Sequence, residues 1–220
     1  QGGRRRGARV KRGTISAQGI KSLRIGNTRI PLTATNLIIA TNVFVYALTK
    51  GIFGIGESRS RLNALMKVNS LVARGQVYRL FTSLFCHGSV SHIAINSFSL
   101  YNMGPSAERT LGRGRYLFVY FASGVLANMF TYAASASPYS LGASGSTFGL
   151  IGAFGMHFYR NKDVLGAQAQ AGLESVKRTV MINLFYGMSS PGIDNGAHVG
   201  GLVAGALWVY LLAPRLVPSR

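Results

Sequence analysis

Gly142-Ala143-Ser144-Gly145-Ser146-Thr147-Phe148-Gly149-Leu150-Ile151-Gly152-Ala153 is the stretch on which the reading of this chain turns. It carries no charge and opens a run that stays apolar to about Tyr159. Gly145, Gly149 and Ala153 recur every four residues, a row of small side chains along one helix face. A second stretch matches it. Gly196-Ala197-His198-Val199-Gly200-Gly201 opens an apolar run to about Leu212, with Ala197, Gly201 and Gly205 as its own small row. In lipid such rows let two helix backbones approach closely. Ser144 and His198 stand beside these rows at the start of their helices, so the pairing predicts a nucleophile and a base held together inside a bilayer. Taken singly, each has a plainer reading: Ser144 bonding its own helix, and His198 as a satisfied interior polar residue. The coincidence of the two favours the pair.

Composition supports a membrane setting. The chain has 220 residues, 48% of them hydrophobic and only 13% charged, with a mean hydropathy of +0.24. Soluble domains average roughly 25% charged residues. Its 24 Lys and Arg against 5 Asp and Glu suggest a nucleic-acid binder at first sight, but the apolar runs argue against a nucleic-acid partner. The 28 glycines suit close helix packing. The one cysteine, Cys86, excludes an internal disulfide. Beside His87 it reads as a small apolar filler in preference to a reactive thiol.

Residues 1–30 hold nine Lys and Arg and no acid; the first acid is Glu57. This stretch is expected to be a basic, disordered tail or the remnant of an organellar transit segment, and the opening Gln is read as the mark of a fragment or a processed form. Residues 31–215 then form one domain. Six apolar segments follow, near Leu32–Thr49, Val90–Ala107, Tyr116–Ala136, Ser144–Tyr159, Val176–Met188 and Ala197–Ala213. An all-α membrane protein with six transmembrane helices is the expected fold, although several segments are shorter than the ~20 residues of a full span. Loop charges orient it. Arg109, Arg113 and Arg115, then Arg160, Lys162, Lys177 and Arg178, then Arg215 and Arg220 share the side of the basic tail; the third and fifth loops carry no Lys or Arg. The first loop mixes Arg59, Arg61, Lys67, Arg74 and Arg79 with Leu62, Leu65, Met66, Leu71 and Val72, the pattern of amphipathic pieces lying on the membrane surface.

At 1.5 Å per residue, Ser144 to Phe158 rises about 21 Å against a hydrocarbon core of ~30 Å. With Arg160 and Lys162 at the inner end, Ser144 lies a few ångströms below the outer surface. Its helix N-terminus offers backbone N–H groups and a partial positive charge to an oxyanion. His87, His92 and Asn96 form a third polar cluster; His92 and Asn96 are i, i+4 on one face and are candidate oxyanion donors. Two competing chemistries fare worse. A metal site of His87, His92 and His198 lacks an H-E-x-x-H motif or a carboxylate partner. Paired-aspartate catalysis has only Asp163, in a charged loop, and Asp194, near the outer surface.

These residues resemble a known family. Gly142-Ala143-Ser144-Gly145 is similar to the G-x-S-G motif of the rhomboid intramembrane serine proteases, Ala197-His198-Val199-Gly200-Gly201 to their A-H-x-x-G, and His87, His92 and Asn96 to their H-x4-H-x3-N. The resemblance runs from about Leu32 to Leu212. It implies a six-helix rhomboid-like bundle that cleaves transmembrane protein substrates with Ser144 as nucleophile, His198 as general base and no cofactor. It further implies His92, Asn96 and the Ser144 N–H as oxyanion donors, the motif glycines Gly142 and Gly145 as supports, and the fifth segment as part of a lateral substrate gate. Tyr78-Arg79 stands where the family has Trp-Arg, and Phe148 where it often has Tyr. Glu108 resembles a structural acid of the family.

The alternative is a catalytically silent rhomboid-like scaffold that binds membrane proteins. A channel would need polar lining across the bilayer, whereas here the polar residues gather toward one side. The basic tail and a similarity to plant and algal plastid rhomboids suggest a plastid (chloroplast) membrane, with a bacterial inner membrane as the alternative.

Overall fold

The computed structural model describes residues 22–25, 28–52, 58–134, 137–189 and 193–217. Among them, six helices have 16 residues or more: α1 (Ala34–Thr49), α5 (Val90–Leu111), α6 (Arg113–Ala133), α7 (Ser144–Arg160), α9 (Ala167–Ser189) and α10 (Asn195–Leu212). By length and apolarity, α6 and α10 pass as membrane-crossing helices, with mean hydropathies of 1.2 and 1.3. Short elements fill the first loop: α2 (Ser58–Leu65), β3 (Lys67–Val68), α3 (Asn69–Ala73), α4 (Arg79–Thr82) and the 3-10 turn η1 (Ser83–Phe85). A single turn, α8 (Lys162–Leu165), joins α7 to α9.

Several ends are set by side chains. Thr33 Oγ1 accepts from the Asn36 N–H (3.1 Å) at the start of α1, and Ser89 Oγ from the His92 N–H (3.1 Å) at the start of α5. Glu108 accepts from the backbone N–H groups of Ala34 (3.0 Å) and Thr35 (3.1 Å) and pairs with Arg113 (3.3 Å), tying α1 to the α5–α6 corner. At the far end of α10, Arg160 Nη1 donates to the carbonyls of Val209, Tyr210 and Ala213.

Helix α7 runs through the middle. It is buried from Gly145 to Ala153 without a break, as expected of a helix packed on all sides, with α6, α9 and α10 around it. Helix α1 packs on α5, where Gly104 lies against Thr35 with no room for a Cβ. Large apolar side chains remain exposed on α5 (Val90, Phe98, Tyr101) and α9 (Met181, Ile182, Phe185, Met188), surface that suits lipid better than water.

Three differences from the sequence reading have physical causes. Helix α9 begins at Ala167, nine residues before the apolar segment, because its first turns are polar (Gln168, Gln170, Glu174) but still anchored by the buried Ala169; Lys177 and Arg178 thus lie in a helix, not a loop. Two short ribbons add to the helices. Lys67–Val68 pairs antiparallel with β4 (Tyr139–Ser140). At the edge of the basic tail, β1 (Ser22–Ile25) pairs with β2 (Thr28–Pro31), Leu23 opposite Ile30. The rest of the tail, residues 1–21, lies outside the described residues.

Candidate active site

The two small-residue rows interlock as their spacing requires. A methyl at Gly201 would collide with the Gly145 carbonyl, one at Gly205 with the Gly149 carbonyl, and one at Gly152 with the Leu202 carbonyl. Helices α7 and α10 are therefore in backbone contact along several turns. On the other side of α7, a Cβ at Gly145 would stand 2.9 Å from the Ala127 Cβ of α6.

This contact sets the helix that carries His198 against the helix that opens with Ser144. Ser144, half-buried, is the first residue of α7. His198 is buried on α10, and its ring stacks on Phe148, one turn after Ser144, at 4.3 Å between centroids and 7° between planes. No hydrogen bond joins Ser144 to His198 among the described residues, and the buried His198 Nδ1 has no partner there. Among the described residues no carboxylate is bonded to the imidazole; the ring packs on the Phe148 face.

The N-terminus of α7 has no side-chain cap, since Ala143 holds the N-cap position. Its first N–H groups are left as donors. The turn into it is held from outside. Gly142 has φ +125°, in the region that favours glycine, and a Cβ there would lie 2.8 Å from His92 Nε2. Its N–H donates to the Ser83 carbonyl (2.9 Å), and Asn128 Nδ2 in turn donates to Ser83 Oγ (2.9 Å) and the Leu80 carbonyl (2.8 Å).

The histidine cluster divides its roles. His87 is fully buried, and its Nδ1 lies 3.2 Å from the Phe85 carbonyl, which makes that nitrogen the donor; Nε2 accepts from the Ala143 N–H at 3.5 Å. Both nitrogens are occupied by the backbone, which removes His87 as a metal donor. His92 packs edge-on against it at 5.1 Å and lies over Gly142, beside the start of α7. Asn96 is buried, but its Nδ2 donates to the carbonyl of His92 at 2.9 Å, within its own helix. Cys86 is fully buried and its thiol is pushed up to about 12 by burial, which suits a filler and not a nucleophile.

The first loop is pinned by Arg79, whose Nη1 donates to the carbonyls of Asn63 and Met66 (2.9 Å) and whose Nε donates to Gln76 Oε1 (2.7 Å). The guanidinium sits 5.4 Å from the Tyr78 ring, so the Tyr-Arg version keeps an aromatic and a cation in contact.

A family model described as the Rhomboid domain matches residues 74–215. The chain belongs to the rhomboid family. It is thus a helical bundle of the membrane-embedded kind. Among related rhomboids, it is 32% identical to rhomboid protease GluP of Bacillus subtilis (strain 168) over 79% of this chain and 33% of that protein. It is 30% identical to RHOMBOID-like protein 9, chloroplastic, of Arabidopsis thaliana over 68% of this chain and 34% of that protein. A putative rhomboid protease of B. subtilis, YdcA, is 34% identical over 64% of this chain and 69% of its own length. The chain therefore spans about a third of the first two relatives.

Two residues beside the site are not singled out by the sequence reading. Asp194 enters it only as a carboxylate without a partner for paired-aspartate catalysis, whereas its Oδ1 accepts from the Ala197 N–H at 3.0 Å and caps α10. Its place three residues before Ala197, at the head of an apolar run, is an N-cap signal that was there to be read. Ser140, whose Oγ donates to Asp194 Oδ2 at 3.2 Å, had no such signal, because the partners are 54 residues apart in sequence.

Proposed function

We propose that this rhomboid is an intramembrane serine protease in which Ser144 and His198 form a catalytic dyad acting on transmembrane protein substrates. The observation that carries the proposal is the stacking of His198 on Phe148 one turn from Ser144, at the uncapped end of α7. Ser144 Oγ attacks the scissile carbonyl carbon while His198 takes its proton. The oxyanion is met by the free N–H groups of α7, with His92 and Asn96 as side-chain donors. His198 then gives the proton to the leaving amine, and water, activated by the same imidazole, hydrolyses the acyl-enzyme. Gly142 and Gly145 hold the turn and the helix contact that this geometry needs.

In this reading α1, α5, α6, α7, α9 and α10 are the six spans of one domain, residues 31–215, with the basic tail on the inner side and Ser144 toward the outer face. The first-loop helices lie on the outer surface, and the exposed apolar face of α9 borders the lateral gate. We place the protein in a plastid membrane, on the basic tail and the chloroplastic relative; the Bacillus relatives keep a bacterial inner membrane as the alternative. No cofactor takes part in the scheme.

The test is labelling by a fluorophosphonate serine probe in detergent or liposomes. Wild type should label, while Ser144→Ala and His198→Ala should not, all three being folded by melting profile. Labelling of Ser144→Ala at the wild-type rate would end the assignment. A folded but unlabelled wild type would favour the silent scaffold.

A further inference from the structure

Four residues before Ser144 stands Ser140, and four before His198 stands Asp194. The hydroxyl of the first donates to Oδ2 of the second at 3.2 Å. A single hydrogen bond thus joins the lead-in of α7 to the lead-in of α10. The same carboxylate caps α10 through the Ala197 N–H (3.0 Å), and the Asp194 carbonyl receives the N–H of His198 (3.3 Å).

A buried cation stands behind this bond. Lys67 of the first loop is fully buried and sits opposite Ser140 in the β3–β4 ladder. Its Nζ donates to Thr131 Oγ1 of α6 at 2.6 Å. Burial draws its pKa below the ordinary lysine value, and the negative charge of Asp194 opposes that fall. An ammonium taken out of water needs a counter-charge; Asp194, half-buried and bonded to the ladder partner of Lys67, supplies one at longer range than an ion-pair contact.

We propose that the Ser140–Asp194 bond, with Lys67 as its counter-ion, is a staple that sets the separation of Ser144 and His198, making Asp194 and Ser140 positioning residues for the base. The inference rests on the dyad reading. Its physical motive is the unpartnered Nδ1 of His198. An imidazole with no carboxylate on its second nitrogen is oriented by what fixes its helix. The cap fixes the first turn of α10, the staple fixes that turn against the approach to α7, and the ladder extends the hold to the first loop.

The test uses the full chain in detergent, with the fluorophosphonate labelling rate at saturating probe and the melting temperature as two separate readouts. Asp194→Ala removes cap, staple and charge together and should slow labelling by about tenfold or more, since misplacement of a reacting group by about 1 Å can cost as much as 10²-fold. Asp194→Asn keeps an acceptor for the Ala197 N–H and should restore most of that loss. Ser140→Ala deletes only the staple and should slow labelling several-fold with little change in melting; it carries the test if Asp194→Ala does not fold. Lys67→Met should lower the melting temperature in the wild-type background and much less in Asp194→Asn, because the uncompensated charge is then gone.

Labelling rates for Ser140→Ala and Asp194→Ala within twofold of wild type on folded protein would overturn the positioning role. Additive melting shifts for Lys67→Met and Asp194→Asn would overturn the counter-ion. If wild type fails to label while the melting shifts are coupled, the dyad reading falls and the staple is structural only. That result is distinct from a wild type that labels with an uncoupled pair.

Discussion

Two helix N-termini meet at the site, and they are built in opposite ways. At α7 the N-cap is Ala143, with no side-chain acceptor, and the turn before it is held by bonds that leave the first N–H groups of the helix untouched: Gly142 to Ser83, Ala143 to His87. At α10 the N-cap is Asp194, whose carboxylate takes both the Ala197 N–H and the Ser140 hydroxyl. One end keeps its first donors open, where the proposed reaction would develop negative charge; the other caps the Ala197 N–H, one residue before His198. Capping stabilises a helix by about 1 kcal/mol, so the missing cap on α7 is a sacrifice of stability at the place where an oxyanion could use the same donors.

The most damaging way to break this contrast is to part the two ends. Gly201→Leu places a side chain where the Gly145 carbonyl lies. Overpacking usually costs about 1–3 kcal/mol, and against backbone that cannot yield the loss should be at the upper end or abolish folding. A lower melting temperature with loss of labelling is the expected result, and a wild-type profile would mean that the helices do not touch there.

The open end is tested by its side-chain donors. His92→Ala should lower turnover of a transmembrane substrate by about 10²-fold, the range for one oxyanion donor. Asn96→Ala should cost less, because its amide is bonded to the His92 carbonyl. Equal losses would show that Asn96 swings toward the substrate during reaction; loss of folded protein in either case would show a structural role instead.

The closed end is tested through its ring contact. Phe148→Ala removes the stacked face and should reduce labelling by about three- to tenfold, in line with aromatic pairs worth about 0.5–1.5 kcal/mol. Phe148→Tyr keeps the face and should change the rate by less than about threefold. A large gain for Phe148→Tyr would mean that the hydroxyl missing here belongs to the working site.

Much of this arrangement was legible in the residues. The four-residue spacing of Gly145, Gly149 and Ala153, and of Ala197, Gly201 and Gly205, foretold the contact of α7 with α10, because a helix period converts spacing into a face. The breaks in apolar runs foretold six long helices to within a few residues at most ends. The start of α9 was missed because its first turns are polar and its anchor is one small residue, Ala169. The ring of His92 over Gly142, the amide of Asn96 turned back to its own helix and the double role of His87 depend on rotamers that spacing cannot express.

The sequence by itself determined which residues are small, which are apolar and which few are polar within the apolar runs. From these follow the helices and their contact faces, since both rest on local periodicity and on the high cost of polar groups in lipid. Only the tertiary structure decided that the open helix end and the closed one are tied to each other. The cap at Asp194 and its lack at Ala143 are local, but the tie between the two ends is the Ser140–Asp194 bond, and a bond between residues 54 positions apart exists only once the helices between them have packed.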